Sequence, residues 1–338
     1  MRKVILQEPG HFVQETSGYP KKPGPGEVLV SMRKIGVCGT DLHAFRGRQP
    51  FFSYPRVLGH ELGVEVLECG ENTSLKKGQY CAVEPYLYCG ECIACRRGKT
   101  NCCEKLEVMG VHVDGGMREQ MIVPAKNLYP SEKLQPEQLA LVETLGIGAH
   151  AVERAGIAED DTVLILGAGP IGLSVVQFAQ LSHVPLLVAD VNARRLQFCR
   201  QHMQVDAVLD AVQADFSDQL ERLLGGDLPT VVFDATGNPE SMQQAIHYLA
   251  PAGKLILVGL YQGDFMFHDP LFHKKEVTLM SSRNATGSNF RHIIHLMEEG
   301  EIDTRPWITH HLDLNQVVTD FPALLEPTAG VVKAMISV

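Results

Sequence analysis

Cys38, His60 and Glu61 are three side chains of metal-ligating type that lack an obvious fourth. Cys38 opens the run Cys38-Gly39-Thr40-Asp41-Leu42-His43, and the other two follow in Gly59-His60-Glu61. A structural zinc site closes with four protein ligands, whereas a catalytic one keeps a position open for water or substrate. A second cluster looks complete: Cys89, Cys92, Cys95 and Cys103, with Cys102 an alternative to Cys103 as fourth ligand. Closely spaced thiolates suit a tetrahedral zinc site, and an iron–sulfur cluster is the weaker rival. The expected pair is one zinc for folding and one for chemistry. The carboxylate of Glu143, in Leu141-Val142-Glu143-Thr144, is a further candidate at the open site.

A third motif handles phosphate. Gly167-Ala168-Gly169-Pro170-Ile171-Gly172 matches G-x-G-x-x-G after the apolar run Thr162-Val163-Leu164-Ile165-Leu166. The first glycine allows a tight turn, the second lets the backbone approach a pyrophosphate, and the third permits helix–strand packing. Asp190 ends the next apolar run, where an acid accepts hydrogen bonds from ribose hydroxyls and repels a 2′-phosphate. NAD is therefore expected over NADP. Arg194 and Arg195 pull the other way, because a nearby arginine accommodates that phosphate. Asn192 is free to act as helix N-cap, which leaves Asp190 for the cofactor. Val258 and Gly259, closing Lys254-Leu255-Ile256-Leu257-Val258-Gly259, complete the expected cofactor contacts.

The elements that must hold these residues fall into two textures. Before the middle of the chain lie short β-branched runs broken by Gly and Pro, as in a barrel-like domain: Glu27-Val28-Leu29-Val30, Gly63-Val64-Glu65-Val66-Leu67 and Gln120-Met121-Ile122-Val123-Pro124. Later, apolar strands alternate with helical patterns, which implies a parallel sheet covered on both faces. The expected division is 1–150 with 288–338, carrying both metal sites, and 151–287, carrying the cofactor. Pro306-Trp307-Ile308-Thr309-His310 and Gly330-Val331-Val332-Lys333-Ala334-Met335-Ile336 read as a return to the first domain.

The 338-residue length suits two domains. A formal net charge of -10 without a basic run argues against nucleic acid or an anionic membrane surface as partner. The N-terminal stretch shows no signal-peptide apolar core, so the cytoplasm is the expected compartment. Nine cysteines, an odd count without an export signal, favour metal or catalytic use over disulfides.

Taken together, the Cys38 run, Gly59-His60-Glu61, the four-cysteine lobe, the Gly167 fingerprint and Asp190 resemble the zinc-dependent medium-chain alcohol/polyol dehydrogenases. The resemblance implies an α/β fold: a chaperonin-10-like β-barrel catalytic domain and a Rossmann doubly wound sheet. It implies Cys38, His60 and Glu61 as zinc ligands, Glu143 beside the metal directly or through water, and Thr40 and His43 as proton relay. It implies Zn and NAD as cofactors and a symmetric homodimer or homotetramer. The polyol and threonine dehydrogenase branch is the most similar, having glutamate where classical alcohol dehydrogenases use a second cysteine. Phe51 to Glu61, Gly98 to Lys105, and His273 to Glu276 with Ser282 to Thr286 resemble bacterial L-galactonate (sugar-acid) dehydrogenases. A polyhydroxylated small molecule is then the expected substrate, with Arg283 and Asn284 as its binding residues. Arg283 suits a sugar-acid carboxylate, since a guanidinium pairs with it in bidentate fashion. His112 and Arg118 are lesser candidates. The alternatives are oxidation of threonine or a simple alcohol, and a catalytically idle NAD-binding protein. Two departures stand out: Val64 occupies a place where the family has glycine, and Gly78-Gln79 replaces a Gly-Asp pair.

Overall fold

The computed structural model of the chain describes every residue except Phe51 and Pro327. Phe51 begins one of the stretches singled out above, and that position lies outside the described residues. The chain forms two compact units, Met1–Thr144 with Ala285–Val338, and Leu145–Asn284. The change of unit falls inside one helix, Val142–Ala155, so no loop composition marks it in the sequence.

The first unit is built on a seven-stranded sheet. Its order is Ile308–Asp313, Lys333–Ser337, Glu27–Val37, Glu61–Cys69, Tyr80–Val83 and Leu128–Ser131, with Gln120–Pro124 also pairing to Glu27–Val37. The two C-terminal stretches thus rejoin the N-terminal part of the chain. Lys333–Ser337 runs antiparallel to Glu27–Val37 with Ile336 opposite Ile35. The core takes Val28, Val30, Met32 and Ile35 from one strand and Leu62, Val64 and Val66 from its neighbour. Val64 is fully buried there. Gly63 beside it meets the backbone of Pro136, whose carbonyl oxygen would lie 2.0 Å from any Cβ. The glycine that packing demands is therefore at 63, and valine at 64 fills core. Gln79 accepts from the Lys76 N–H at 2.8 Å and so closes the turn before Tyr80–Val83.

The short helix Gly39–Phe45 carries Thr40 and His43. It is anchored at its far end by Phe45, whose ring lies 5.2 Å from that of Phe12 and 5.3 Å from that of Phe321. Aromatic pairs of this kind contribute about 0.5–1.5 kcal/mol each beyond area burial.

The second unit is a six-stranded parallel sheet, ordered Ala207–Asp210, Leu186–Asp190, Val163–Leu166, Val231–Asp234, Lys254–Leu257, Thr278–Ser281. The third strand in sequence comes first and the chain then reverses at the Val163–Leu166/Val231–Asp234 pair, the doubly wound order whose crevice lies at that reversal. Strand residues Val163, Leu164, Ile165, Val231, Val232 and Phe233 are all fully buried, as a sheet covered on both faces requires. The last strand begins at Thr278 because Glu276, with φ 51, turns the chain ahead of it.

Candidate active site

The cysteine lobe hangs between two short strands, Tyr86–Leu87 and Glu107–Val108, which pair antiparallel. Cys89, Cys92, Cys95 and Cys103 bring their sulfurs within 4.8 Å of one another. Cys103 Sγ lies 3.5 Å from Cys89 Sγ, which lies 4.0 Å from Cys95 Sγ. Zn–S bonds of about 2.3 Å in a tetrahedron set sulfurs about 3.8 Å apart, so the cage has the size of such an ion. All nine cysteines are free thiols. Backbone N–H groups of Cys95 and Glu104 lower the Cys92 thiol to about 6, whereas burial pushes the Cys95 thiol up. Backbone N–H groups of Cys92 and Cys89 also point at Cys89 Sγ and Cys103 Sγ, at 3.4 and 3.3 Å. These N–H groups favour the thiolate at Cys92, and Zn2+ would supply the missing positive charge. Cys103 is buried within the group; Cys102 is exposed outside it.

The second cluster joins Cys38, His60 and Glu61, whose ligand atoms also lie within 4.8 Å of one another. Cys38 is the N-cap of the helix Gly39–Phe45, and its N–H donates to Asp41 Oδ2 at 2.9 Å. Glu61 starts the strand Glu61–Cys69 opposite Gly36. A Cβ on Gly36 would sit 2.0 Å from Glu61 Oε2, so only glycine leaves room for that carboxylate. Burial opposes the His60 imidazolium, but Asp41 and Cys38 outweigh it and raise its pKa well above the usual value. Burial also opposes the Glu61 carboxylate, yet Lys333 and His60 hold its pKa below normal. Several acidic side chains thus surround one point, and His60 Nδ1 and Asp41 Oδ1 lack hydrogen-bond partners there. That donor set, soft sulfur with imidazole and carboxylate, fits zinc.

Sequence reasoning passed over three residues. Asp41, fully buried, places Oδ1 3.7 Å from His60 Nδ1 and so faces the ring from behind. Ligating histidines commonly offer their second ring N–H to a carboxylate. Lys333 donates to Glu61 Oε1 and Oε2 at 2.6 and 2.8 Å, and to the Thr144 hydroxyl and the Val37 carbonyl at 3.3 Å each. Its signal was legible: a lysine inside the apolar run 330–336 needs a buried partner. Tyr86 donates its hydroxyl to Glu143 Oε1 at 2.5 Å. Glu143 is buried in the first turn of the helix Val142–Ala155, where a surface position would have been the ordinary reading. Burial raises its pKa, partly offset by His60.

Thr40 is half-buried and His43 exposed, three residues apart on one helix face. Partial desolvation of the ring, then repulsion from Arg46 and Arg48, lowers the His43 pKa. His112 and Arg118 hold turns: His112 Nδ1 accepts from the Val108 N–H at 3.0 Å, and Arg118 Nε donates to the Gly115 carbonyl at 2.8 Å.

In the second unit the glycine turn is tight. Gly167 has φ +97, and a Cβ on Gly172 would lie 1.7 Å from the Gly167 carbonyl oxygen. Gly169 caps the helix Pro170–Ala179, whose first turn holds Ile171. Asp190 Oδ2 accepts from the Ala168 N–H at 2.6 Å and Oδ1 from the Asn192 N–H at 2.7 Å. Asn192 indeed caps the next helix, accepting from Arg194 and Arg195. The Arg195 guanidinium lies 3.6 Å from Asp190 Oδ2. Val258 and Gly259 both donate their N–H groups to the Asp234 carbonyl at 2.9 Å, which folds them back at the C-terminal end of the strand Lys254–Leu257. Arg283 is exposed and Asn284, with φ 53, ends this unit, whereas both cysteine-containing clusters belong to the first.

Residues 24–133 match the alcohol dehydrogenase GroES-like domain, and residues 170–299 match the zinc-binding dehydrogenase domain. L-galactonate-5-dehydrogenase of Escherichia coli K12 is 44% identical over 311 residues, covering 92% of this chain and 91% of that protein. L-threonine 3-dehydrogenase of Pyrococcus horikoshii is 30% identical over 318 residues, with 92% and 91% covered. The structure of RspB from E. coli CFT073, an alcohol dehydrogenase complexed with NADH, superposes with a TM-score of 0.93 at 30% identity, covering 100% of this chain and 99% of that one.

Proposed function

Because the chain belongs to the zinc-dependent medium-chain dehydrogenases, we propose that it transfers hydride between a secondary alcohol of a sugar acid or polyol, L-galactonate-like, and NAD. The observation that carries this is the three-residue cluster Cys38, His60 and Glu61, a metal-type site one ligand short of closure. When bound, zinc polarises the substrate hydroxyl as a Lewis acid and NAD accepts the hydride.

The protein's part is to place groups and move a proton. Cys38, His60 and Glu61 hold the metal, and Glu143 lies beside it. Asp41 orients the His60 ring from behind. Thr40 passes the hydroxyl proton toward His43, which the depressed pKa keeps neutral and able to accept at neutral pH. Asp190 takes the adenosine ribose, with Gly167, Gly169, Pro170, Ile171 and Gly172 at the pyrophosphate and Arg195, Val258 and Gly259 alongside. Arg283 takes the substrate carboxylate and Asn284 a hydroxyl. Cys89, Cys92, Cys95 and Cys103 hold the structural zinc. Among the described residues no helix is long and apolar enough to cross a membrane. A cytoplasmic homodimer or homotetramer working on a small polyhydroxy molecule is the setting we assign.

The test is NADH formation at 340 nm on a panel of sugar acids, polyols, threonine and simple alcohols, with zinc counted on the same sample. L-galactonate or a near stereoisomer should give the highest kcat/KM. Zinc-replete protein that turns over none of them would overturn the reading in favour of an idle NAD-binding protein.

A further inference from the structure

The Tyr86 phenol is fully buried and its hydroxyl is spent on one acceptor, Glu143 Oε1. The backbone that carries it is fixed on several sides. Asn127 Nδ2 donates to the Glu84 and Tyr86 carbonyls at 2.9 and 3.1 Å. Tyr86 pairs with Val108, and its ring meets that of Phe290 edge-on at 6.4 Å and 87°. The same strand, Tyr86–Leu87, runs directly into Cys89, and its partner strand Glu107–Val108 begins just after Cys103. The two strands therefore close the base of the cysteine lobe, and the phenol projects from that base onto Glu143.

We propose that Tyr86 is a positioning residue that fixes the Glu143 carboxylate toward the open metal cluster and ties it to the base of the cysteine lobe. With Oε1 held by the phenol, Glu143 presents its other oxygen in one orientation. Glutamate otherwise has several rotatable bonds whose freedom must be lost when the carboxylate is ordered. This rests on the reading of Glu143 as a neighbour of the metal. Groups that orient first-layer ligands typically change metal affinity about 10- to 100-fold when removed.

The experiment uses the zinc-loaded enzyme and a chromophoric chelator, with Y86F, E143A and the double variant compared with wild type. Two zinc classes should be resolved, one from the lobe and one from the open site. In Y86F the open-site zinc should bind about tenfold more weakly or worse. The lobe zinc and the circular dichroism spectrum should stay unchanged, since the ring is kept. In the E143A background Y86F should add nothing, the signature of action through Glu143. Cobalt substitution at the open site gives a second readout, a shift in its visible absorption in Y86F. Unchanged affinity and cobalt spectrum in Y86F, with E143A impaired, overturn the role of Tyr86 alone. An unchanged E143A overturns the placement of Glu143 and the proposal with it. Loss of the lobe zinc in Y86F, or an effect that persists in E143A, makes Tyr86 structural and overturns the proposal.

Discussion

Lys333 and Glu61 form a buried ion pair in which one ammonium meets both carboxylate oxygens, at 2.6 and 2.8 Å. Each side chain is 1% exposed. Glu61 therefore belongs at once to a metal-type cluster and to a cation of the protein's own. Lys333→Met should destabilise the protein stripped of its open-site zinc by about 3–5 kcal/mol, because it strands a buried carboxylate that no metal then compensates. Adding Glu61→Leu should recover a large part of that loss. Urea denaturation of the three proteins checks it, and a double variant weaker than the single would count against the pair.

The lobe distinguishes its neighbouring cysteines. Cys103→Ser should reduce zinc from two ions per chain to one and lower the thermal midpoint. Cys102→Ser should change neither, since that thiol is exposed outside the cage. Elemental analysis beside a thermal scan separates them.

At the cofactor, Asp190 and Arg195 pull in opposite directions from 3.6 Å apart. Asp190→Ser should shift the ratio of kcat/KM values toward NADP by about tenfold or more, that is about 1.4 kcal/mol. Adding Arg195→Ala should remove that gain. Steady-state kinetics with both cofactors decides, and an unchanged ratio in Asp190→Ser would relocate the discriminating group.

Glu84 makes a pH prediction away from the metal sites. Its carboxyl is buried, accepts from the Tyr129 hydroxyl at 2.6 Å, and is raised to about 7 mainly by burial. Between about pH 4.5 and about 7 the unfolded chain has lost a proton that the folded chain keeps. Stability should therefore fall as pH rises through that window, on the order of 1–3 kcal/mol. Glu84→Gln keeps the hydrogen bond and should flatten that dependence. Denaturation midpoints at pH 5 and 7.5 measure it.

The parts legible in the sequence were those whose residues lie close along the chain or at strand ends. The cysteine spacing, the glycine turn with Asp190, and the alternation of apolar strands with helices each follow from local geometry. The rest depends on pairs the fold brings from afar. Lys333 and Glu61 are 272 residues apart, and Tyr86 and Glu143 are 57 apart. Asp41 was hidden differently, inside the Cys38–His43 run, where its neighbours Thr40 and His43 drew the chemical attention. The change of unit at Thr144 was hidden because a continuous helix carries the chain across it.

The missing side chain at Gly36 has a consequence for how this chain can diverge. Because Glu61 Oε2 occupies the space a methyl group would need, positions 36 and 61 are steric complements. In any aligned set of related sequences, a larger residue at 36 should coincide with a shorter one at 61. Libraries built to alter substrate range should hold the two fixed together or vary them as one codon pair.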